Sequence, residues 1–260
     1  MRREPVEAPV AVVVAHPDDE TIGAGASLPL FRRLLLVHAT DGAPRGLDDA
    51  RAAGFAMAAD YAAARRRELD TALAAGAVEG AARVSLGAAD QGASLRMADL
   101  ARSLAAALRG HGARAVLTHP YEGGHPDHDA VAFCVRLAAA LLARDGGGAP
   151  AVAEMAFYHA APAGWAVGRF LPNGAAPIVA ALGEGERARK RAMLDAFATQ
   201  AATLARFPVG DEAFRPAPAY DFAAPPHGGP LLYEGFPWGM DGARWRRLAA
   251  DARRGLGLDA

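Results

Sequence analysis

The sequence predicts an α/β fold, a Rossmann-like, mostly parallel sheet flanked by helices and followed by a loop-rich C-terminal extension. Three observations predict it. Short β-like apolar runs alternate with helical patterns through the first 160 residues, and the length of 260 residues suits one substantial core. A single cysteine, Cys134, rules out a scaffold stapled by internal disulfides and reads as a packed core residue.

The first strand is the β-branched run Val10 to Ala15, and the second is Leu34 to Ala39. Ala82 to Leu86, Ala115 to Thr118 and Glu154 to Tyr158 complete the set of five. Between the third and fourth, Met97, Leu100, Ala101, Leu104 and Leu108 repeat at helical spacing while Asp99, Arg102 and Arg109 fall on the other side. Ala130 to Ala143 is apolar almost all round, which predicts a buried helix that stops at Gly146-Gly147-Gly148. Beyond residue 160 the pattern loosens, with helical stretches only at Glu186 to Phe207 and Asp241 to Arg254. The expected organisation is a single domain over 1–260, its core in 1–160 and its remainder, 161–260, shaping a pocket.

Charge narrows the function. The chain carries 28 basic and 29 acidic residues, so no long-range field marks a nucleic-acid reader or a binder of anionic membranes. No run of about eighteen apolar residues occurs, which excludes an ordinary membrane-spanning helix. The N-terminus, Met1-Arg2-Arg3-Glu4-Pro5, lacks the pattern of a signal peptide. A soluble, cytoplasmic protein is the expectation, and a homo-oligomer stays open.

Two polar clusters carry the chemistry. His16-Pro17-Asp18-Asp19-Glu20 directly follows the first strand, with Thr21 placed to cap a helix. His125-Pro126-Asp127-His128-Asp129 follows the fourth strand by a few residues and again precedes a helix. In an open α/β sheet both positions lie at carboxyl ends of strands, where ligands bind. Imidazoles and carboxylates three residues apart suit one ion, and two His with one carboxylate leave an open position for water, a common catalytic zinc arrangement. A single His-Pro-Asp is most simply a capped turn. Two such clusters at one sheet edge crowd too many ionisable groups together for that explanation to serve both.

The runs Ala15-His16-Pro17-Asp18-Asp19-Glu20 and His125-Pro126-Asp127-His128 resemble the two signature motifs of the PIG-L, or LmbE-like, zinc-dependent N-deacetylase family. The resemblance continues in order through Thr40-Asp41-Gly42, Arg65 and Glu68, Leu86-Gly87 and Asp90, and weakens after residue 160. It implies His16, Asp19 and His128 as zinc ligands, Asp18 as general base, and His125 as support for the tetrahedral intermediate with Asp127 orienting it. It also implies Asp41 in the pocket wall and Arg65 directed at substrate hydroxyls, while Asp90 is expected to bond sugar hydroxyls. Iron or cobalt suits the same donor set. The implied reaction is hydrolysis of an N-acetyl or other N-acyl group on a small amino-sugar conjugate. Metal-dependent ester or phosphoester hydrolysis on the same fold, and a sugar- or nucleotide-binding module without turnover, are the alternatives.

The remaining candidates have plainer readings. His38 and His119 fall in or after buried strands, where a satisfied core histidine is the default. Gly23-Ala24-Gly25 lacks the third glycine of a dinucleotide fingerprint and is expected to allow close packing at a helix entry. Tyr220, Pro225-Pro226-His227, Tyr233, Phe236 and Trp238 serve either as packing or as a stacking wall for a sugar ring.

Overall fold

The computed structural model describes residues 4–258; Met1 to Arg3, on which part of the signal-peptide reading rests, and the last two residues lie outside it. The elements run β1 (Val10–Val14), α1 (Asp19–Ala24), β2 (Leu34–Pro44), α2 (Asp48–Ala52), α3 (Ala58–Ala75), β3 (Ala82–Asp90), α4 (Met97–His111), β4 (Ala115–Thr118), α5 (Pro126–Arg144) and β5 (Ala151–Met155). The second part adds β6 (Tyr158–Ala161), β7 (Gly164–Val167), β8 (Ile178–Ala180), α6 (Glu184–Asp195), α7 (Ala201–Leu204), β9 (Glu212–Pro216) and α8 (Gly242–Gly255).

Seven strands form the main sheet in the order β3-β2-β1-β4-β5-β9-β8. The first five pair in parallel, as the alternation of apolar runs and helices requires, and β9 and β8 close the edge antiparallel. The direction of winding reverses between β1 and β4, which opens a crevice at their carboxyl ends.

Both faces of the sheet are covered, and strand alternation decides which side chain meets which layer. Ala11 and Val13 of β1 pack with Leu35 and Val37 of β2 under α4, α5 and α8. Val12, Val14 and Leu36 face the other way, toward Leu69 and Leu73 of α3 and Met193 of α6. Helix α4 buries Leu100, Leu104 and Leu108 as its spacing predicts, each burial stabilising the fold by roughly 1.5–3 kcal/mol. It ends on Gly112 at φ 69°, a left-handed cap. Helix α8 fixes the start of α5, because the buried Trp245 donates its indole N–H to the carbonyl of Pro126 at 3.1 Å.

Several boundaries differ from the sequence reading. Strands β2 and β3 continue past their apolar runs to Pro44 and Asp90, paired across register shifts after His38 and Thr40. The stretch from Glu186 to Phe207 is broken: α6 ends at Asp195, and Phe197 turns into the core before the short α7. Helix α1 starts at Asp19, so Thr21 is no cap and instead donates its hydroxyl to Glu20 at 2.7 Å. Gly23 permits the expected close packing, since a Cβ there would lie 2.1 Å from the sulfur of Met155. Cys134 is free and buried. Among the described residues no helix is long and apolar enough to cross a membrane.

Candidate metal centre and active site

The β1–α1 turn and the start of α5 bring the two polar clusters together at the crevice between β1 and β4. Nδ1 of His16 lies 3.2 Å from Oδ2 of Asp19 and 3.3 Å from Nε2 of His128, and that Nε2 lies 3.4 Å from Oδ1 of Asp19. Bonds of roughly 2.0–2.1 Å at tetrahedral angles place neighbouring ligand atoms about 3.3–3.4 Å apart, so each pair is at ligand–ligand spacing, with Asp19 meeting the two rings through different oxygens. The donor atoms that lie within 4.8 Å of one another group His16 with His125 and His128, and Asp19 with His119 and His128. All three are buried. Oδ2 of Asp19 also accepts the main-chain N–H of His16 at 2.7 Å, which fixes its plane. Burial opposes the charge on Asp19, but His128, His119 and His16 together hold its pKa well below the usual carboxylate range. Burial and the neighbouring His119 push His128 well down, keeping it in the neutral form that ligates metals. The donor set therefore fits a divalent cation once His16, whose burial is outweighed by neighbouring carboxylates that raise its pKa, gives up its proton as the ion binds.

Asp18 stands beside this triad, with its Oδ2 3.0 Å from Nη2 of Arg65. Its backbone has φ 126° and ψ −28°, outside the usual left-handed region of non-glycine residues. Such strain costs of the order of 1–3 kcal/mol and persists only where surroundings over-determine it. Arg65 supplies part of that constraint by donating also to the carbonyls of Pro17 at 2.5 Å and Gly42 at 3.2 Å. Burial raises the pKa of Asp18 well above its ordinary value even though Arg65 pulls it down. A carboxyl so placed is poised to hold a proton.

His125 caps α5. Its Nδ1 accepts the N–H of Asp127 at 3.1 Å, which leaves Nε2 to carry the proton of the neutral ring. Burial, then the neighbouring His16, lowers its pKa to about 4. Asp127, expected to orient His125, meets the ring through its main-chain N–H and not its carboxylate. The Asp127 carboxylate accepts from the N–H groups of Gln91 at 2.6 Å and Ala93 at 3.0 Å and lies 3.5 Å from Nε2 of His16. It braces the loop after β3 against α5.

The other expected substrate contacts divide. Asp90, at the end of β3, faces the cavity but approaches Nε2 of His16 to 3.0 Å and Nε2 of His125 to 3.8 Å. Neither the Oδ1 of Asp90 nor the Nε2 of His16 has an aligned hydrogen-bond partner. Burial opposes the charge on the His16 ring, yet Asp90, Asp19 and Asp127 outweigh it and hold its pKa well above 6.5. Arg65 lines the cavity, but its two terminal nitrogens are committed to the protein. Asp41 does not line it. Strand alternation turns Gly42 toward Pro17 and Arg65, while Asp41 closes a turn onto the N–H of Ala43 and pairs with Arg45.

Two histidines read as core residues prove to be part of the site's support. His119 stacks on His128 with ring centroids 4.1 Å apart and brings Nε2 within 3.2 Å of Asp19 Oδ2. His38 meets Glu20 at 3.0 Å directly beneath the β1–α1 turn. The signal for His119 was its place one residue past β4 at the reversal point, much as His16 lies two residues past β1.

The cavity measures about 930 Å³. Its aromatic wall includes Tyr158, Trp165, Phe236 and Trp238, with Phe236 stacked on Trp238 at 4.4 Å and Trp238 4.8 Å from His125. Tyr233, by contrast, packs in the interior, and the partly buried Tyr220 packs against the same core.

The family model described as PIG-L, GlcNAc-PI de-N-acetylase, matches residues 11–139, which include both clusters. No curated protein matches the chain. Among solved structures, the chain is similar to a deacetylase triple mutant of the teicoplanin biosynthetic pathway, with 18% identity over 80% of this chain and 97% of that one and a TM-score of 0.62. It is also similar to N,N'-diacetylchitobiose deacetylase from Pyrococcus horikoshii, with 18% identity over 80% and 82% and a TM-score of 0.52. A third is 4-carboxy-2-hydroxymuconate hydratase from Pseudomonas putida KT2440, with 16% identity over 83% and 99% and a TM-score of 0.54. At such identities the likeness concerns the fold. Residues 11–139, which hold every residue of the candidate metal centre, are thus a PIG-L family domain.

Proposed function

We propose that this protein is a divalent-metal-dependent N-deacetylase, with zinc as the metal, acting on an N-acetylated amino-sugar conjugate. The observation that carries the reading is the convergence of His16, Asp19 and His128, each pair within 3.4 Å, with a spare carboxyl, Asp18, beside them. The family model's description and the deacetylases among the structural neighbours support hydrolysis of an N-acetyl group. The hydratase among those neighbours shows that fold alone does not select the reaction.

His16, Asp19 and His128 would hold the ion, which when bound supplies Lewis acidity and lowers the pKa of a water. Asp18 accepts the proton of the attacking water and, with its pKa raised by burial, retains it for the departing amine. Arg65 keeps that carboxyl aimed. The Nε2–H of His125 donates to the oxygen that gains charge as the amide carbon becomes tetrahedral, and its Nδ1 stays anchored on Asp127 N–H. Asp90 at the end of β3 and Gln91 just after it reach sugar hydroxyls, and the aromatic wall receives the apolar face of the ring. Residues 161–260 contribute Trp165, Phe236 and Trp238 to that wall and fold with the core as one domain.

The test is release of acetate from zinc-loaded protein on N-acetylglucosamine and its glycosides, run beside acetate esters and phosphate esters. Acetate release from the amides alone supports the proposal. Turnover confined to esters or phosphates would replace it with the corresponding esterase.

A further inference from the structure

The strained backbone of Asp18 is held on one side by its carbonyl, which accepts the N–H groups of Thr21 and Ile22 at 2.9 Å, and by Arg65 through its carboxyl and the preceding carbonyl of Pro17. Its own N–H is held by Glu20, which is fully buried. Its Oε2 accepts the N–H of Asp18 at 3.1 Å and is fixed by Nε2 of His38 at 3.0 Å, while its Oε1 accepts the hydroxyl of Thr21 at 2.7 Å. Asp18 occupies the N-cap position of α1 yet makes no side-chain cap hydrogen bond. An aspartate at that position would ordinarily turn its carboxyl onto the first free N–H groups of the helix. Glu20 instead takes the N–H of Asp18 itself, and the Asp18 carboxyl faces the cavity together with that of its neighbour Asp19. Ala77 and Gln91, the other non-glycine residues with positive φ among those described, sit at 56° and 63° in the ordinary left-handed region. Asp18 at 126° does not, so its conformation depends on the groups that hold it.

We propose that Glu20 is a positioning residue for Asp18: its carboxylate, clamped by His38, holds the Asp18 N–H and keeps the aspartate in the backbone conformation that aims its carboxyl into the cavity. This rests on Asp18 being the general base of the proposed reaction. Glu20 touches neither cavity nor metal ligand side chain in that role and acts through Asp18 alone.

The experiment is a double-mutant cycle on the full, zinc-loaded chain with acetate release from N-acetylglucosamine as the assay, joined to crystal structures of the wild type and Glu20→Ala. Displacing a catalytic group by about an ångström costs on the order of a hundredfold, so Glu20→Ala should lower kcat by roughly ten- to a hundredfold with KM little changed and zinc content intact. In an Asp18→Asn background the same substitution should cost less than about threefold more, because the base is already lost. Glu20→Gln, which keeps an acceptor oxygen for the Asp18 N–H, should recover most of kcat. If Glu20→Ala does not fold, Glu20→Asp replaces it, with the oxygen withdrawn by one methylene. Additive losses in the cycle, or an Asp18 that stays near φ 126° in the Glu20→Ala crystal, overturn the positioning role. Near-normal kcat in Asp18→Asn alone would instead refute the base assignment, and the two crystal structures would then decide whether Glu20 sets the Asp18 backbone.

Discussion

Nη2 of Arg65 lies 3.0 Å from Oδ2 of Asp18 and 2.5 Å from the carbonyl of Pro17, so one guanidinium grips both the side chain of the proposed base and the chain just before it. Asp18→Asn should keep zinc and fold but lose about two to four decades of kcat, since a carboxamide accepts no proton. Metal analysis and steady-state kinetics on the purified variant check this. Arg65→Lys should lose activity too, because a point charge cannot reach Asp18 Oδ2 and two carbonyls with the geometry of the fork.

The metal ligands give a different signature. His16→Ala, Asp19→Ala and His128→Ala should each lose bound zinc and activity together, and chelation of the wild type should lower its Tm, as removal of a ligand held only by the native state must. Stoichiometric metal in all three variants, measured elementally, would refute the ligand set.

His125→Ala should retain zinc, because Asp19 and not the neighbouring His125 is the proposed third ligand, and should lower kcat by roughly 10²–10³, the usual cost of removing one oxyanion donor. The capping bond to Asp127 N–H is lost as well, so a drop of about 1 kcal/mol in stability should accompany it. An unchanged kcat would assign His125 to the helix cap alone.

Most of the architecture was legible because apolar runs of β-branched residues and 3.6-residue periodicity are local signals, and Val10 to Val14 and α4 fold as both require. The two His-Pro-Asp clusters were legible because sheet topology alone places the ends of β1 and β4 together. What the sequence could not show were directions. Asp41 and Gly42 are adjacent, and a strand sends them to opposite sides; only the pairing of β2 settles which side meets Arg65. Whether Asp127 holds His125 through its carboxylate or its N–H depends on where the loop after β3 lies, a contact over 36 residues of sequence. His119 and His38 follow apolar strands as any core histidine would, and their partners Asp19 and Glu20 come from another strand's turn.

The last prediction concerns a buried group outside the metal centre that fastens the loop leading to His125. Arg215 of β9 sits between Glu154 at 3.0 Å and Glu122 at 3.3 Å, with Tyr220 donating to Glu154 at 2.9 Å. Glu122 also accepts the N–H of Leu171 at 2.7 Å and so ties the segment before His125 to the C-terminal half. One guanidinium serves two carboxylates, and burial pushes the pKa of Glu122 up to about 8 and that of Glu154 up to about 7. Both lie above the unfolded value near 4.5, so the native state binds more protons than the unfolded one between these limits. This contribution to stability is therefore complete below about pH 4.5 and is lost as pH rises toward 8, with a slope of at most about 1.4 kcal/mol per pH unit for each proton. Glu122→Gln keeps the acceptor for Leu171 N–H and cannot ionise, so its stability relative to wild type should increase steadily from pH 5 to pH 8. Urea unfolding of both proteins at several pH values across that range, with zinc held saturating, measures the difference. A constant difference across the range would mean that Glu122 is already charged throughout, paired with Arg215 as a simple buried salt bridge.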